Sequence, residues 1–316
     1  MSDTYTQAST FTSDTAAYEA LAYFALRPQL YFDAVASVKS EHMTHRGVSV
    51  RFNIYTDLAA QTTTLSETAD PDAIAASDGT VTVTPLEKGA VIKTTALIRA
   101  TSYLDIDQDM ANLIGFNAGL SLDTLARTAI DAGDNVRYAG NATSRATVDP
   151  TDTIASANVQ RARVDLVGAN VMTTNGSLYW AFIHPDVSYD LQRDTSTGNW
   201  LTPHQYSAPE NIWSGEIGAF SGFRFVETPR CVVNTDGGSS PTTTDVYGTY
   251  FGGAQALACG TNDGGGYTGR YPTFVKGPMV DALQRIQPLG WKWMGAYGRF
   301  REASLRRVES SSSIGS

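Results

Sequence analysis

One long stretch of the chain repeats its hydrophobic residues at helical spacing. Between residues 105 and 132, apolar side chains return every three or four positions, which is the period of one helix face. The pattern predicts an amphipathic helix of about seven turns. Its predicted core face consists of Ile106, Met110, Ile114, Leu122 and Leu125. Gly115 and Gly119 lower the helix propensity of this stretch, but they would allow another backbone to approach the helix closely.

A strand pattern precedes this helix. Apolar and polar residues alternate over residues 48–55, which is typical of a half-buried strand. Residues 56–80 are polar and contain turn signals, residues 81–84 alternate again, and residues 91–100 predict a returning strand. A connection of this length between strands is uncommon and is usually functional. We therefore predict a long β-hairpin with an extended tip.

Weaker patterns predict the remaining elements. A helix over residues 14–26 is followed by an apolar cluster, Leu30, Tyr31 and Phe32, which is a candidate docking point for an N-terminal arm. Further helices are predicted over 157–170 and 186–193, strands over 178–183, 223–226 and 291–300 (with a bulge around Gly295), and loops over 237–241 and 260–269.

The composition narrows the class of protein. Hydrophobic residues make up 42% of the chain, which excludes a disordered protein. Charged residues make up only 17%, against about 25% in a typical soluble domain, which hints at surfaces that are buried by assembly. The net charge of −9 argues against a protein that grips nucleic acid phosphates. Cys231 and Cys259 are expected to be two small buried thiols rather than a disulfide scaffold.

No convergent catalytic or metal-binding set emerges from the sequence. Residues 264–269 match G-x-G-x-x-G, but Pro272 opposes the helix that a dinucleotide site requires after this motif. His42 and His45 lack the further ligands of a zinc site, and no G-x-S-x-G elbow is present. We predict no enzymatic activity, no cofactor and no metal. The chain shows neither a secretory signal pattern at its start nor an apolar run long enough to span a membrane.

An ordered series of short segments resembles the major capsid proteins of tailed bacteriophages, which have the Johnson (Hong Kong 97-like) fold. The segments are GVSVRF at 47–52, LSE at 65–67, KGAV at 88–91, SLDTL at 121–125, IHP at 183–185, DL at 190–191, GEIG at 215–218, SG at 221–222 and PLGWK at 288–292. Each is weak alone, whereas their order over most of residues 47–300 is fairly specific.

The resemblance implies an α+β fold divided into five regions. These are an N-terminal arm (1–46), a long β-hairpin called the E-loop (47–100), a peripheral domain with a long spine helix (101–159), an axial domain (160–280) and a return to the peripheral domain (281–316). In this family the arm and the E-loop reach across neighbouring subunits. The sequence agrees, because an overlong polar hairpin is expected to find little to pack against in its own subunit.

The implied function is mechanical. Copies of the chain are expected to form hexamers and pentamers that close into an icosahedral head around double-stranded DNA, without specific recognition of that DNA. The expected subunit-contact residues are Leu30 and Phe32 near the arm and Thr64, Leu65, Ser66, Glu67, Asp70 and Pro71 at the hairpin tip. Deletion of residues 61–79 is expected to abolish shells and to leave a folded subunit.

The remaining partners follow from the same resemblance. At most about 45 residues precede the first strand of the hairpin, so a separate scaffolding protein is expected, together with a portal. Assembly is expected in the host cytoplasm, and the product is expected in the virion with no membrane contact. Two alternatives stay open at this point, namely another phage component such as a tail or decoration protein, and an enzyme that binds a nucleotide cofactor at residues 264–269.

Overall fold

The computed structural model describes residues 30–41, 49–55, 58–62, 64, 67, 73–102, 106–174, 177–194, 216–239, 244–279 and 281–314. Several predictions lie outside these residues. They are the helix over 14–26, the contact candidates Leu65, Ser66, Asp70 and Pro71, and the histidine pair His42 and His45.

Two sheets hold most of the strands. In sheet 1, β1 (Ala36–Glu41) pairs with β11 (Leu257–Asn262), and β11 pairs with the last residues of β13 (Ile286–Arg299). The strand β12 (Thr273–Lys276) pairs with an earlier stretch of β13, and β4 (Leu86–Thr95) pairs with the opposite edge of that stretch. Sheet 2 has the order β5 (Val136–Tyr138), β14 (Leu305–Ser310), β10 (Val246–Gly252), β6 (Tyr179–Ile183), β8 (Phe223–Glu227) and β7 (Glu216–Phe220), and β9 (Val233–Asn234) pairs with β10.

The predicted long helix is present as α2 (Ile106–Asp131), and it joins the two sheets. Ile114, Ala118 and Leu122 in its first half pack against Trp291 and Trp293 of sheet 1. Ala126 and Ile130 in its second half pack against Trp180 and Phe182 of sheet 2. Ile106 and Met110 are also buried, and Leu125 is partly buried. One apolar stripe therefore supplies the core between both sheets.

Sheet 2 is covered on both faces because its strands are apolar on both sides. Tyr179, Ala181 and Ile183 of β6 face the helices α3 (Ser156–Gly168) and α4 (Pro185–Arg193). The alternate residues Trp180 and Phe182 face α2. This alternation is the period of two that a strand imposes on its side chains. The predicted helices over 157–170 and 186–193 and the predicted strands over 178–183 and 223–226 are confirmed to within two residues.

The hairpin differs from its prediction in two respects. Its strands are β2 (Val50–Tyr55) and β3 (Asp78–Val83), which pair with each other. The returning strand predicted over 91–100 is instead β4, which ends at Thr95 and pairs with β13. The Thr95 hydroxyl accepts a hydrogen bond from the backbone N–H of Ile98 and caps the short helix α1 (Ala96–Thr101), so the strand cannot continue.

Two smaller predictions are also corrected. The loop predicted to begin at Gly260 begins after Asn262, because Gly260 pairs with Ala296 inside sheet 1. No bulge interrupts β13 at Gly295, whose pairing with β4 and β11 keeps its register. None of the helices in the described part of the chain combines the length and the apolar character that crossing a lipid bilayer requires.

Candidate subunit-contact surfaces

The base of the hairpin is anchored on its own subunit. Val50, Phe52 and Val83 are buried, and they pack against Ala258 of sheet 1. The Phe52 ring lies 5.4 Å from the Phe300 ring, measured between centroids. A Cβ atom at Gly260 would lie 3.1 Å from the Cβ of Val50, so the glycine allows this close approach. The expectation that the hairpin finds little support in its own subunit is therefore wrong for its base.

Beyond this base, every described residue of the hairpin from Leu58 to Gly79 is exposed. Thr64 and Glu67, two of the predicted contact residues, are among them. Tyr55 is 75% exposed, Leu58 55% and Ile74 50%. Large apolar side chains on an unsupported segment are typical of a surface that another molecule covers.

All the charged residues in the sequence of the hairpin tip are acidic. Residues 56–79 contain the acids Asp57, Glu67, Asp70, Asp72 and Asp78, and they contain no lysine or arginine. Like charges that lie close together repel one another, and an oppositely charged partner surface relieves that repulsion. The hairpin therefore combines exposed apolar side chains with a sequence of negative net charge.

The segment at Phe32 is fixed inside the subunit, which corrects its predicted role. The Phe32 side chain is 0% exposed, and its ring lies 4.7 Å from Phe182 and 6.1 Å from Tyr250. Its backbone N–H donates a 2.8 Å hydrogen bond to the buried carboxylate of Asp123. No surface of Phe32 is therefore available to a neighbouring subunit.

Leu30 lies beside Phe32, against a glycine of α2. A Cβ atom at Gly119 would lie 2.9 Å from Cδ1 of Leu30, whereas one at Gly115 would meet no atom within 4 Å. A close approach therefore occurs at Gly119 alone of these two glycines, and the approaching group is a side chain instead of the predicted backbone. Leu30 is half-buried, so part of its surface is left for a contact outside the subunit.

Two acidic residues hold this segment in place, and sequence patterns did not single them out for this role. Asp33 accepts hydrogen bonds from the hydroxyl of Tyr297 at 2.6 Å and from the guanidinium of Arg270 at 3.1 Å. Asp123 pairs with Arg230 at 2.7 Å. Burial, together with the nearby Cys259 and Asp33, raises the pKa of Tyr297, so its hydroxyl keeps its proton and remains a donor to Asp33.

The strand β4 lies at an edge of sheet 1, as far as the described residues show. One of its sides pairs with β13 over ten residues, and no strand in the described part of the chain pairs with the other side. Gly89, Ala90 and Val91 at its centre are exposed. The sheet face beside Val91 and Val275 carries a groove of about 360 Å³, whose lining includes Gly89 and Gly290.

The helix α3 also carries apolar surface. Val164 is 69% exposed and Val167 is 52% exposed, and both line a groove between the helix and Ser221. Arg137 pairs with Asp165 on the other flank of α3, and this ion pair lowers the pKa of the Asp165 carboxyl.

The glycine-rich segment 264–269 lacks the helix that a dinucleotide site requires after this motif. It forms a turn after β11, with Gly265 and Gly266 at positive φ, and the strand β12 follows it instead of a helix. The Tyr267 hydroxyl donates to Glu87, and the Lys292 ammonium lies 4.5 Å from the centre of the Tyr267 ring. The segment is thus held by β4 and β13 of its own subunit. Among the described residues, no three His, Cys, Asp or Glu side chains lie where they could hold a metal ion.

The two cysteines behave as the sequence predicts. Cys231 and Cys259 are buried, and both are free thiols. Burial raises the pKa of both thiols, that of Cys259 to about 12, so both are protonated and unreactive near neutral pH.

Comparison with known proteins identifies relatives of this chain. A family model described as phage capsid protein matches residues 10–314. No curated protein matches the sequence.

Solved structures share the fold at low sequence identity. The capsid of Ralstonia phage GP4 superimposes with a TM-score of 0.79 at 15% identity, and the match covers 98% of each chain. The Cyanophage Pam1 capsid gives 0.70 at 13% identity, covering 99% of this chain and 100% of that one. Mycobacterium phage Che8 gives 0.62 at 14% identity, covering 95% and 97%. These matches confirm the α+β capsid fold that the sequence resemblance implied.

Proposed function

Since this chain belongs to the phage capsid protein family and has the fold of tailed-phage major capsid proteins, we propose that its copies form hexamers and pentamers that close an icosahedral head. The observation that carries this proposal is the family match over residues 10–314, nearly the whole chain. The function is structural, and the shell encloses double-stranded DNA without gripping it, in keeping with the net charge of −9.

The exposed part of the hairpin is the proposed contact with a neighbouring subunit. Leu58 and Ile74 supply apolar surface, and Thr64 and Glu67 lie between them in the chain. Leu65, Ser66, Asp70 and Pro71 belong to the same proposed contact by their positions in the sequence. Many copies of a modest interface add up to a strong shell.

The two sheets suggest a revised division into domains. Strands β11 and β12 belong to sheet 1, although the sequence placed them in the axial domain, and β5 and β14 belong to sheet 2, although it placed them in the peripheral domain. The chain crosses between the sheets after α2, after β10 and before β14. We propose sheet 1 with α2 as the peripheral domain and sheet 2 with α3 and α4 as the axial domain.

The remaining partners are also proposals. Assembly would use a separate scaffolding protein and a portal, it would take place in the host cytoplasm, and the finished subunit would reside in the virion. These proposals rest on the family membership.

Electron microscopy of the purified chain, expressed alone and then with the neighbouring phage genes, tests the function. Closed particles with six-fold capsomers are the expected result. A chain that stays dispersed under both conditions would contradict the proposal.

A deletion tests the hairpin separately. Removal of residues 61–79 would also remove Asp78 and Gly79 from β3, so residues 58–74 are the better deletion. Replacing 58–74 with a short Gly-Ser linker should abolish particles and leave the unfolding transition in place. Normal particles from this variant would remove the hairpin tip from the contact.

A further inference from the structure

One edge of β4 pairs with no strand in the described part of the chain, and the proposed function leaves this edge unexplained. An unpaired strand edge presents a row of N–H and C=O groups that can pair with another strand, and proteins usually block such edges with charges, proline or bulges. The centre of β4, from Gly89 to Ile92, has neither a charge nor a proline, and its pairing with β13 is regular. Charges stand only on either side of this centre, at Glu87, Lys88 and Lys93.

The order of these charges makes the strand complementary to itself. When two copies of β4 are laid antiparallel with Ala90 opposite Ala90, Glu87 of each copy falls opposite Lys93 of the other. Gly89 of each copy then falls opposite Val91 of the other. A residue without a side chain therefore faces a branched side chain on each side of the Ala90 pair. Opposite charges and fitting volumes on directly opposed residues are the contacts that stabilise a strand pair.

Neighbouring registers lack this match. A shift of one residue in one direction places Lys88 opposite Lys93, which is a repulsive pair, and a shift in the other direction places Glu87 opposite Ile92. Successive side chains of a strand alternate between its two faces. The register centred on Ala90 therefore places four residues of both copies on the same face of the joined sheet, namely Glu87, Gly89, Val91 and Lys93. That face is the one turned away from α2, since their partners on β13 alternate with Trp291 and Trp293, which pack on α2.

We propose that β4 is a homotypic contact, in which the β4 strands of two copies of this chain pair antiparallel across a two-fold axis centred on Ala90. A two-fold contact uses the same surface on both partners, so it requires the self-complementarity that β4 has. The proposal rests on the proposed function, because an icosahedral shell contains two-fold axes between its capsomers. The pairing joins the two copies of sheet 1 into one continuous sheet.

A single cysteine tests the register directly. In the Ala90→Cys variant the two new thiols lie opposite each other across the axis, within reach of a disulfide. Particles assembled from this variant under mild oxidation should run as linked dimers on a non-reducing gel. Ala96→Cys is the matched control, because Ala96 is exposed and does not meet its own copy in this register. The native Cys231 and Cys259 are buried and should not react.

The outcomes separate this inference from the function. Particles of Ala90→Cys that contain only unlinked chains overturn the β4 pairing and leave the capsid function intact, as does equal linking in Ala96→Cys. A second set of variants serves where Ala90→Cys forms no particles. Glu87→Lys and Lys93→Glu should each reduce particle yield severalfold, and the double variant should restore it. A double variant no better than the worse single variant also overturns the pairing and points to a different occupant, such as a hairpin from a neighbour.

Discussion

Phe32 shows how the same side chain can be interpreted in two ways. An apolar cluster after a polar stretch resembles a docking point, whereas the structure places Phe32 between Phe182 and Tyr250. Those partners lie far downstream in the chain and on two different strands. No local pattern can reveal such a contact, because it is created by the pairing of β6 and β10.

Loss of the Phe32 ring should be costly. Phe32→Ala is expected to lower the free energy of unfolding by about 3–5 kcal/mol, because it opens a cavity in a closed core. Denaturant unfolding of the subunit measures the change. Phe274→Ala is the matched control, since Phe274 is 54% exposed and its loss should cost about 1 kcal/mol. Equal costs at the two positions would contradict the burial of Phe32.

His184 should make stability depend on pH. Its Nδ1 accepts a hydrogen bond from the backbone N–H of Asp186 and caps α4, and its ring lies against Tyr247. Burial lowers the pKa of His184. The negative charges of Asp186 and Glu227 raise it, but the effect of burial is larger. The unfolded chain therefore binds the proton more readily than the folded chain. Stability should be full above the ordinary histidine pKa of about 6.5 and should fall as the pH drops through the lowered value.

Thermal unfolding between pH 7.5 and pH 5 measures this loss. His184→Asn keeps a capping side chain without an ionisable group, so its stability should fall less over the same range. An identical fall in both proteins would exclude His184 as the source.

At the scale of elements, periodicity predicted the long helix correctly. It failed at the end of a strand, because that boundary depends on a single contact. The 26 residues of α2 carry enough repeats to define a helix face. The end of β4 depends instead on the Thr95 cap. The strands β4 and β13 pair although they are far apart in the chain, and the sequence pattern of neither strand alone predicts this pairing. The exposed part of the hairpin was predictable because its polarity is local, whereas its anchor on Ala258 was not.

The two glycines of α2 offer a matched pair of substitutions. Gly115→Ala should raise the free energy of unfolding by about 0.5–1 kcal/mol, because alanine is the better helix former and meets no neighbour. Gly119→Ala gains the same helix propensity but displaces Leu30, so its net gain should be smaller. Denaturant unfolding compares the two variants, and a larger gain at Gly119 would contradict the contact with Leu30.

At the scale of the whole molecule, the protruding hairpin should matter for assembly and little for folding. Leu58→Ser combined with Ile74→Ser should change the free energy of unfolding by about 0.5 kcal/mol or less, because both side chains are at least half exposed. The yield of particles should fall severalfold, as measured by sedimentation and electron microscopy.

Thr62→Ser on the same hairpin is the control, since it keeps an exposed hydroxyl. Wild-type yield from the double serine variant would show that these apolar side chains make no contact in the shell.

The hydrogen bonds that Asp33 accepts from Arg270 and Tyr297 have a consequence for biosynthesis. Asp33 and Arg270 are 237 residues apart in the chain, and Asp33 and Tyr297 are 264 residues apart. At a synthesis rate of about 5–20 residues per second, the first of these partners emerges on the order of 10–50 s after Asp33. A ribosome-bound chain therefore leaves Asp33 without these two partners until Arg270 and Tyr297 have been synthesised. Incomplete chains that end before Arg270 thus lack both of these partners of Asp33.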